Sequence, residues 1–185
     1  MGLLTIRVLG DPVLRQETVP VEAITPELQR LIDDMFETMR VAKGIGLAAP
    51  QVGRTERLTV VHVDDTQLVV INPEIVHAEG RAKAEEGCLS IPDVYADVER
   101  PDHVLVRALD RDARPYEVDA SGLLARCLQH EIDHLHGKLF IDYLSVLKRR
   151  SALAKWAKEK GKYPNNTRTL TADEIAAHHH RDEEL

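Results

Sequence analysis

Between positions 28 and 39 apolar residues return every three or four places, at Leu28, Leu31, Ile32, Met35 and Met39, and this spacing predicts one buried face of a helix. Its start is written just upstream: Thr25 can cap, Pro26 fits the first turn and Glu27 suits the positive end of the dipole. The pattern stops at residues 44–51, a small, Gly/Ala-rich stretch ending in Pro50-Gln51 that cannot form a regular amphipathic element. Three β-rich runs follow at 58–63, 68–72 and 74–77, with Asn72-Pro73 punctuating the last two, and they predict antiparallel strands. Residues 104–109 read as another strand, which 116–118 can pair. Helical patterning returns at 123–136, with Ser121 or Asp119 as its cap and Gly137 as its stop. A second C-terminal helix, rich in Lys, Arg and Ala, is expected at 145–160. Beyond Gly161 the chain turns polar, and Thr171 with Glu174 can form a capping box for a short terminal helix. The last twenty or so residues are expected to be mobile or loosely docked, and the His178-His179-His180 run within them is assigned no function. The order helix, strands, helix, helix predicts an α+β fold without internal repeats.

Length and charge narrow the picture. A chain of 185 residues suits one domain with a real core. A net charge of −7 argues against DNA or another nucleic acid as the main partner, because phosphate binding needs a basic face. No apolar run is long enough to cross a bilayer, so no membrane is expected. The N-terminus lacks the basic-then-apolar order of a secretory signal, and Ile6 stands where myristoylation wants Ser or Thr. The two cysteines, Cys88 and Cys127, read as free thiols. A cytoplasmic monomer is the expectation.

The chemistry lies in His130-Glu131-Ile132-Asp133-His134, an HExxH motif. On a helix, positions i and i+4 share a face, so both imidazoles can reach one metal ion, and Glu131 is placed to act as a general base without being a ligand. Accidental histidines on a surface helix are the bland alternative. Leu123, Leu124, Cys127, Leu128, Ile132 and Leu135 count against it, because they make this helix apolar over much of its circumference. A catalytic metal usually takes three protein ligands. The metzincin protease pattern would supply a third His three residues after Gly137, and Phe140 stands there instead. Glu159, at the distance of a thermolysin-like ligand, lies in a lysine-rich stretch and is a poor candidate. Cys88, in Glu86-Gly87-Cys88-Leu89-Ser90, is better. On chemistry alone, a thiolate ligand and a small buried hydrophobe are evenly balanced for it. Cys127 reads first as core, with the pocket wall as a second role.

Three segments in order, GIGLAAPQ at 44–51, EGCLS at 86–90 and QHEIDHL at 129–135, resemble one family closely, the bacterial peptide deformylases. The resemblance covers about residues 3–160. It implies an α+β catalytic domain over 1–162, with antiparallel strands packed around a central HExxH-bearing helix and with N- and C-terminal helices, followed by a polar, mobile tail over 163–185. It implies a hydrolase that removes the formyl group from the N-terminal formyl-methionine of newly made proteins and releases formate. Cys88, His130 and His134 become the ligands of one divalent metal, Fe(2+) by family habit, with Zn(2+), Ni(2+) or Co(2+) able to take the site. Glu131 becomes the group that takes a proton from the attacking water and delivers it to the departing amine. The Gln51 amide and the Leu89 backbone N–H become the stabilisers of charge on the formyl oxygen. The Gly46 backbone is implied to hold the formamide, and Ile45, Leu123, Cys127 and the face of His130 to line the methionine slot. Partners are then N-formyl-methionyl nascent peptides, with a transient ribosome contact suggested by Lys148, Arg149, Arg150, Lys155, Lys158, Lys160 and Lys162. A solvated helix face remains the default for that basic run. Arg100 reads equally as a substrate-binding group or as the partner of a structural Glu. Departures are few: Ala113 stands where a turn Gly is frequent, and Tyr95 occupies a variable position near the expected peptide groove.

Overall fold

The computed structural model describes residues 2–182. Met1 and residues 183–185 of the expected tail lie outside the described residues, as do the side chains of 180–182. Strand β1 (Ile6–Arg7) leads into helix α1 (Pro26–Val41). Strands β2 (Gly46–Ala48), β3 (Leu58–Val63), β4 (Thr66–Glu79), β5 (Ala82–Cys88), β6 (Ile91–Arg100), β7 (His103–Leu109) and β8 (Pro115–Ser121) follow. Helix α2 (Gly122–Leu135), helix α3 (Val146–Glu159), strand β9 (Thr167–Arg168) and helix α4 (Ala172–Asp182) complete the order. All sheets are antiparallel: a five-stranded one in the order β2-β3-β4-β7-β8, the hairpin β5-β6, and the pair β1-β9. The mixture is α+β, as the pattern predicts. Among the described residues no helix is long and apolar enough to cross a membrane.

Strand β3 explains why apolar residues at its position do not follow a simple alternation. Side chains alternate across a strand. Leu58 and Val60 join Leu28, Ile32, Met35 and Met39 of α1 on one face. Val61 and Val63 join Ala125, Leu128 and Ile132 of α2 on the other. Both faces are buried, so both are largely apolar, and the one buried hydroxyl, that of Thr59, is satisfied by Leu47 O. Helix α1 starts as expected, with Thr25 Oγ1 accepting from Leu28 N at 3.1 Å. Ser121 holds the N-cap position of α2 without a side-chain hydrogen bond, while Asp119 belongs to β8. Gly137, at φ 70°, ends the helix where Gly is expected.

Two local expectations need correction. The runs at 68–72 and 74–77 are one strand, not two, because Asn72-Pro73 forms a bulge and not a turn. Asn72 and Pro73 together oppose Ala108, the ladder resuming at Glu74↔Arg107 after Ile71↔Leu109. Asn72 takes φ 50°, and its amide both donates to Val21 O and accepts from Val21 N at 2.8 Å. The bulge gives Pro73, which has no N–H, a place inside a sheet. The polar stretch around Cys88 is also more regular than its composition suggests: β5 and β6 pair from Ala82↔Arg100 to Cys88↔Ile91. Ile91, Val94 and Val98 anchor this hairpin on Phe140 and Trp156.

The stretch from 163 on, expected as a mobile tail, carries defined elements. Strand β9 pairs with β1, Leu170 packs with Ile6 and Val41, and Thr171 and Glu174 cap each other at 2.8 and 3.2 Å.

The turn between β7 and β8 carries a local strain. The Asp110 carboxylate accepts from Asp112 N and Arg114 N at 2.8 and 2.9 Å, and Ala113 is forced to φ 61°. A Cβ is disfavoured there. Ala113→Gly is therefore expected to raise stability by roughly 0.5–1 kcal/mol, the relief exceeding the extra chain entropy of glycine. Urea unfolding of the two proteins measures it, and an unchanged or lower midpoint would contradict the strain.

Candidate metal centre

Helix α2 and the β5-β6 hairpin bring three donors to one point. His130 and His134 stand one turn apart on α2, and Cys88 closes β5 at the hairpin turn. Cys88 Sγ lies 3.4 Å from His134 Nε2, which lies 3.2 Å from His130 Nε2. All three donor atoms lie within 4.8 Å of one another. Two imidazole nitrogens on one tetrahedral ion would stand about 3.3 Å apart. The observed spacing fits a shared ion.

Protonation points the same way. His130 Nδ1 donates to Glu86 Oε1 at 2.9 Å. An ionised carboxylate only accepts, so the ring proton sits on Nδ1 and the Nε2 lone pair faces the other donors. Burial, foremost, holds His134 well below the usual imidazole range. Neutral imidazole is the form that ligates.

Glu86 was quoted within its motif at the sequence level but given no role, and the structure makes it a hub. It receives Arg100 Nε at 2.6 Å, Arg100 Nη2 at 2.9 Å and Arg126 Nη1 at 2.7 Å besides His130. Burial pushes its carboxyl up, but the hydrogen bonds of His130 and Arg100 and the charge of Arg100 bring it down to about 2. Arg126 also donates to Val98 O and Ala82 O, tying α2 to both strands of the hairpin. Arg100 donates to Asp133 as well, at 2.8 Å, and stacks over Tyr143, whose hydroxyl reaches Asp133 at 2.7 Å. Of the two readings of Arg100, the structural partner of a Glu is the one observed.

Glu131 lies beside the donors, 4% exposed. Burial, chiefly, pushes its carboxyl up to about 7. Its side-chain contact is weak: the Thr59 hydroxyl, 3.5 Å away, already serves Leu47 O at 2.9 Å. The carboxylate is pressed against Gly46, where a Cβ would come within 2.5 Å of Oε1, so only glycine fits. Gln51 is oriented from its other end. Its Oε1 accepts from Ala48 N at 2.9 Å, which turns its amide nitrogen toward Ser90 Oγ at 3.1 Å and Cys88 Sγ at 3.6 Å.

A cavity of about 510 Å³ opens over this arrangement. Of the residues singled out in the sequence, Ile45, Gly46, Gln51, Cys88, Leu89, Leu123, Cys127, His130 and Glu131 all line it; His134 does not and lies behind, 1% exposed. Ile45 and Leu123 are partly exposed apolar side chains, whereas Cys127 is buried, with a thiol that burial, foremost, pushes well above its usual range. Tyr95 also lines the wall. So do Tyr163 and Arg168, which lie beyond the boundary expected at 162 and which no local motif marks.

An antiparallel α+β domain in which two imidazoles and a thiol converge beside a buried carboxylate defines a metal-dependent hydrolase. A family model described as polypeptide deformylase matches residues 3–150. The peptide deformylase of Hydrogenovibrio crunogenus is 51% identical over 169 residues, covering 90% of this chain and 100% of that protein. The crystal structure of a peptide deformylase from Legionella pneumophila is 50% identical with a TM-score of 0.83, over 86% of this chain and 96% of that one. The structure of the Synechococcus elongatus enzyme, a complex with actinonin, is 49% identical with a TM-score of 0.80, over 83% and 86%. The chain belongs to the peptide deformylase family.

Removing the hub carboxylate leaves two buried guanidinium groups short of their counter-charge. Glu86→Ala is expected to lower stability by about 3–5 kcal/mol. A loss under 1 kcal/mol in chemical denaturation would show that Asp133 and the backbone carbonyls suffice for the two arginines.

Proposed function

We propose that Cys88, His130 and His134 hold one divalent metal and that Glu131 moves the protons as the formyl group is cut away. The activity is that of the family: hydrolytic removal of the formyl group from the N-terminal methionine of newly synthesised proteins, with release of formate. The observation that carries the residue assignment is the convergence of Sγ and two Nε2 atoms beside a buried, weakly partnered carboxylate. Helix α2, as the bearer of three of these groups, is read as the centre around which the strands pack; its contacts with β2, β3, β7 and β8 support this.

The metal, when bound, supplies Lewis acidity that makes water a nucleophile at neutral pH and offsets charge on the carbonyl oxygen. Fe(2+) is our reading of its identity, and the same donors suit Zn(2+), Ni(2+) and Co(2+). Glu131 accepts a proton from the water that attacks the formyl carbon and returns it to the nitrogen of the departing amine. Its weak ties leave it free for both transfers. The Gln51 amide N–H, aimed by Ala48, and the backbone N–H of Leu89 stabilise the charge that develops on the formyl oxygen. The Gly46 backbone holds the formamide alongside Glu131. Ile45, Leu123, Cys127 and the face of His130 form the apolar slot for the methionine side chain; partial exposure of the first two supports an open slot over a core wall. We read the enzyme as a cytoplasmic monomer. The exposed Lys148, Arg150, Lys155 and Lys158 of α3 give a basic face for a transient ribosome contact.

The test is formate release from a short N-formyl-methionyl peptide by protein of known metal content, prepared without oxygen. Formate is expected, and a chelator is expected to abolish it. Glu131→Ala is expected to keep its metal and lose turnover by a factor of about 10²–10⁴. Full activity in that variant, with metal in place, would overturn the proton-transfer role.

A further inference from the structure

Outside the cavity, β4, β7 and β8 carry a second group of metal-ligating side chains. His77 and Glu79 alternate on β4 and so share a face. His103 opens β7 directly opposite Glu79, and Asp119 on β8 is paired with Leu105, two residues along from His103. His103 Nε2 donates to the Asp119 carboxylate. A carboxylate only accepts, so in the neutral ring this bond keeps the proton on Nε2 and leaves Nδ1 bare. That bare nitrogen is buried, makes no hydrogen bond among the described residues, and stands 3.3 Å from Glu79 Oε1. In neutral imidazole this sets two lone pairs against each other. The other oxygen of Glu79 faces a second ring, His77 Nε2, at 3.2 Å. Donor atoms of the three residues all lie within 4.8 Å of one another.

We propose that His77, Glu79 and His103 form a second metal site, selective for a divalent transition ion of the Ni(2+) or Zn(2+) class, with Asp119 orienting His103. A cation among the three removes the lone-pair conflict that the hydrogen bonds leave. Two imidazoles and one carboxylate suit such ions and disfavour Mg(2+) and Ca(2+), which want oxygen donors. Strand pairing holds the donors in register before the ion arrives. His77 and Glu79 are half exposed, so water completes the coordination and the ion exchanges freely.

The test uses Ni(2+)-loaded enzyme, freed of excess metal and titrated with Ni(2+) by equilibrium dialysis at neutral pH. A second equivalent is expected, held more weakly than the first. His77→Ala, His103→Ala and the volume-conserving Glu79→Gln should each weaken it at least tenfold while deformylation continues at the wild-type rate. Asp119→Asn should weaken it about tenfold, as loss of an orienting partner does. Replacing His178, His179 and His180 by Ala should leave the second equivalent in place. Binding that stops at one equivalent would overturn the site. So would a second equivalent that survives in the His77→Ala/His103→Ala double variant, or one lost with the three C-terminal histidines.

Discussion

The arrangement of the centre depends on one buried carboxylate. Glu86 sits on the hairpin that carries Cys88 and bonds to His130 and Arg126 on helix α2 and to Arg100 at the end of β6. Without it the thiol and the imidazoles belong to separate elements. Charge is balanced inside the cluster: Glu86 and Asp133 offset Arg100 and Arg126. Taking four ions out of water costs several kcal/mol each, and the Coulombic return is worth having only when every donor and acceptor is aligned. Here the alignment fixes the tautomer and direction of His130 as well as the approach of the hairpin. The network therefore serves position more than stability.

The same tightness shapes the other side of the centre. Glu131 is pressed between Gly46 of β2 and Thr59 of β3, so the first strands of the sheet decide where its oxygens lie. Helix α2 thus has His130 oriented by one neighbour, Glu86 of the hairpin, and Glu131 flanked by another, Gly46 of β2. Gln51 completes the enclosure from the turn after β2, its oxygen tied to Ala48 and its nitrogen aimed at Ser90 and Cys88. Three elements distant in sequence supply the groups, and the core on both faces of β3 holds those elements together.

Much of this was legible along the chain, for physical reasons. Helix α1 announces itself through period and cap, and α2 through period and its terminal glycine, because these signals are local. The approach of His130 and His134 to each other was legible because positions i and i+4 of HExxH need only helical geometry to meet. The hairpin was not: Ala82–Cys88 is polar and has no β-branched residue, and only its partner strand carries the apolar residues, Ile91, Val94 and Val98, that anchor it. The bulge at Asn72-Pro73 was missed because the same dipeptide also marks turns, and what decides between them is the amide of Asn72 clasping Val21, 51 residues away in sequence. The role of Glu86 was hidden for the same reason, since its partners lie 14, 40 and 44 positions off. Non-local polar contacts leave no period and no cap in a sequence.

The cavity joins two unlike halves. The side that carries the candidate ligands is built on the charge cluster and on the core of β3, within the segment that matches the family model. Its far wall includes Tyr163 and Arg168, beyond that segment, and weaker devices hold them. Tyr163 stacks on Trp156 with centroids 5.8 Å apart, Arg168 pairs with Glu174 at 2.8 Å, and β9 meets β1 over two residues only. Contacts of these kinds contribute about 0.5–1.5 kcal/mol each. A two-stranded pairing of that length has no independent stability. Local opening takes the path of least stability, so this wall opens before the centre loosens. The division leaves the residues of the candidate centre on the more strongly held side of the cavity.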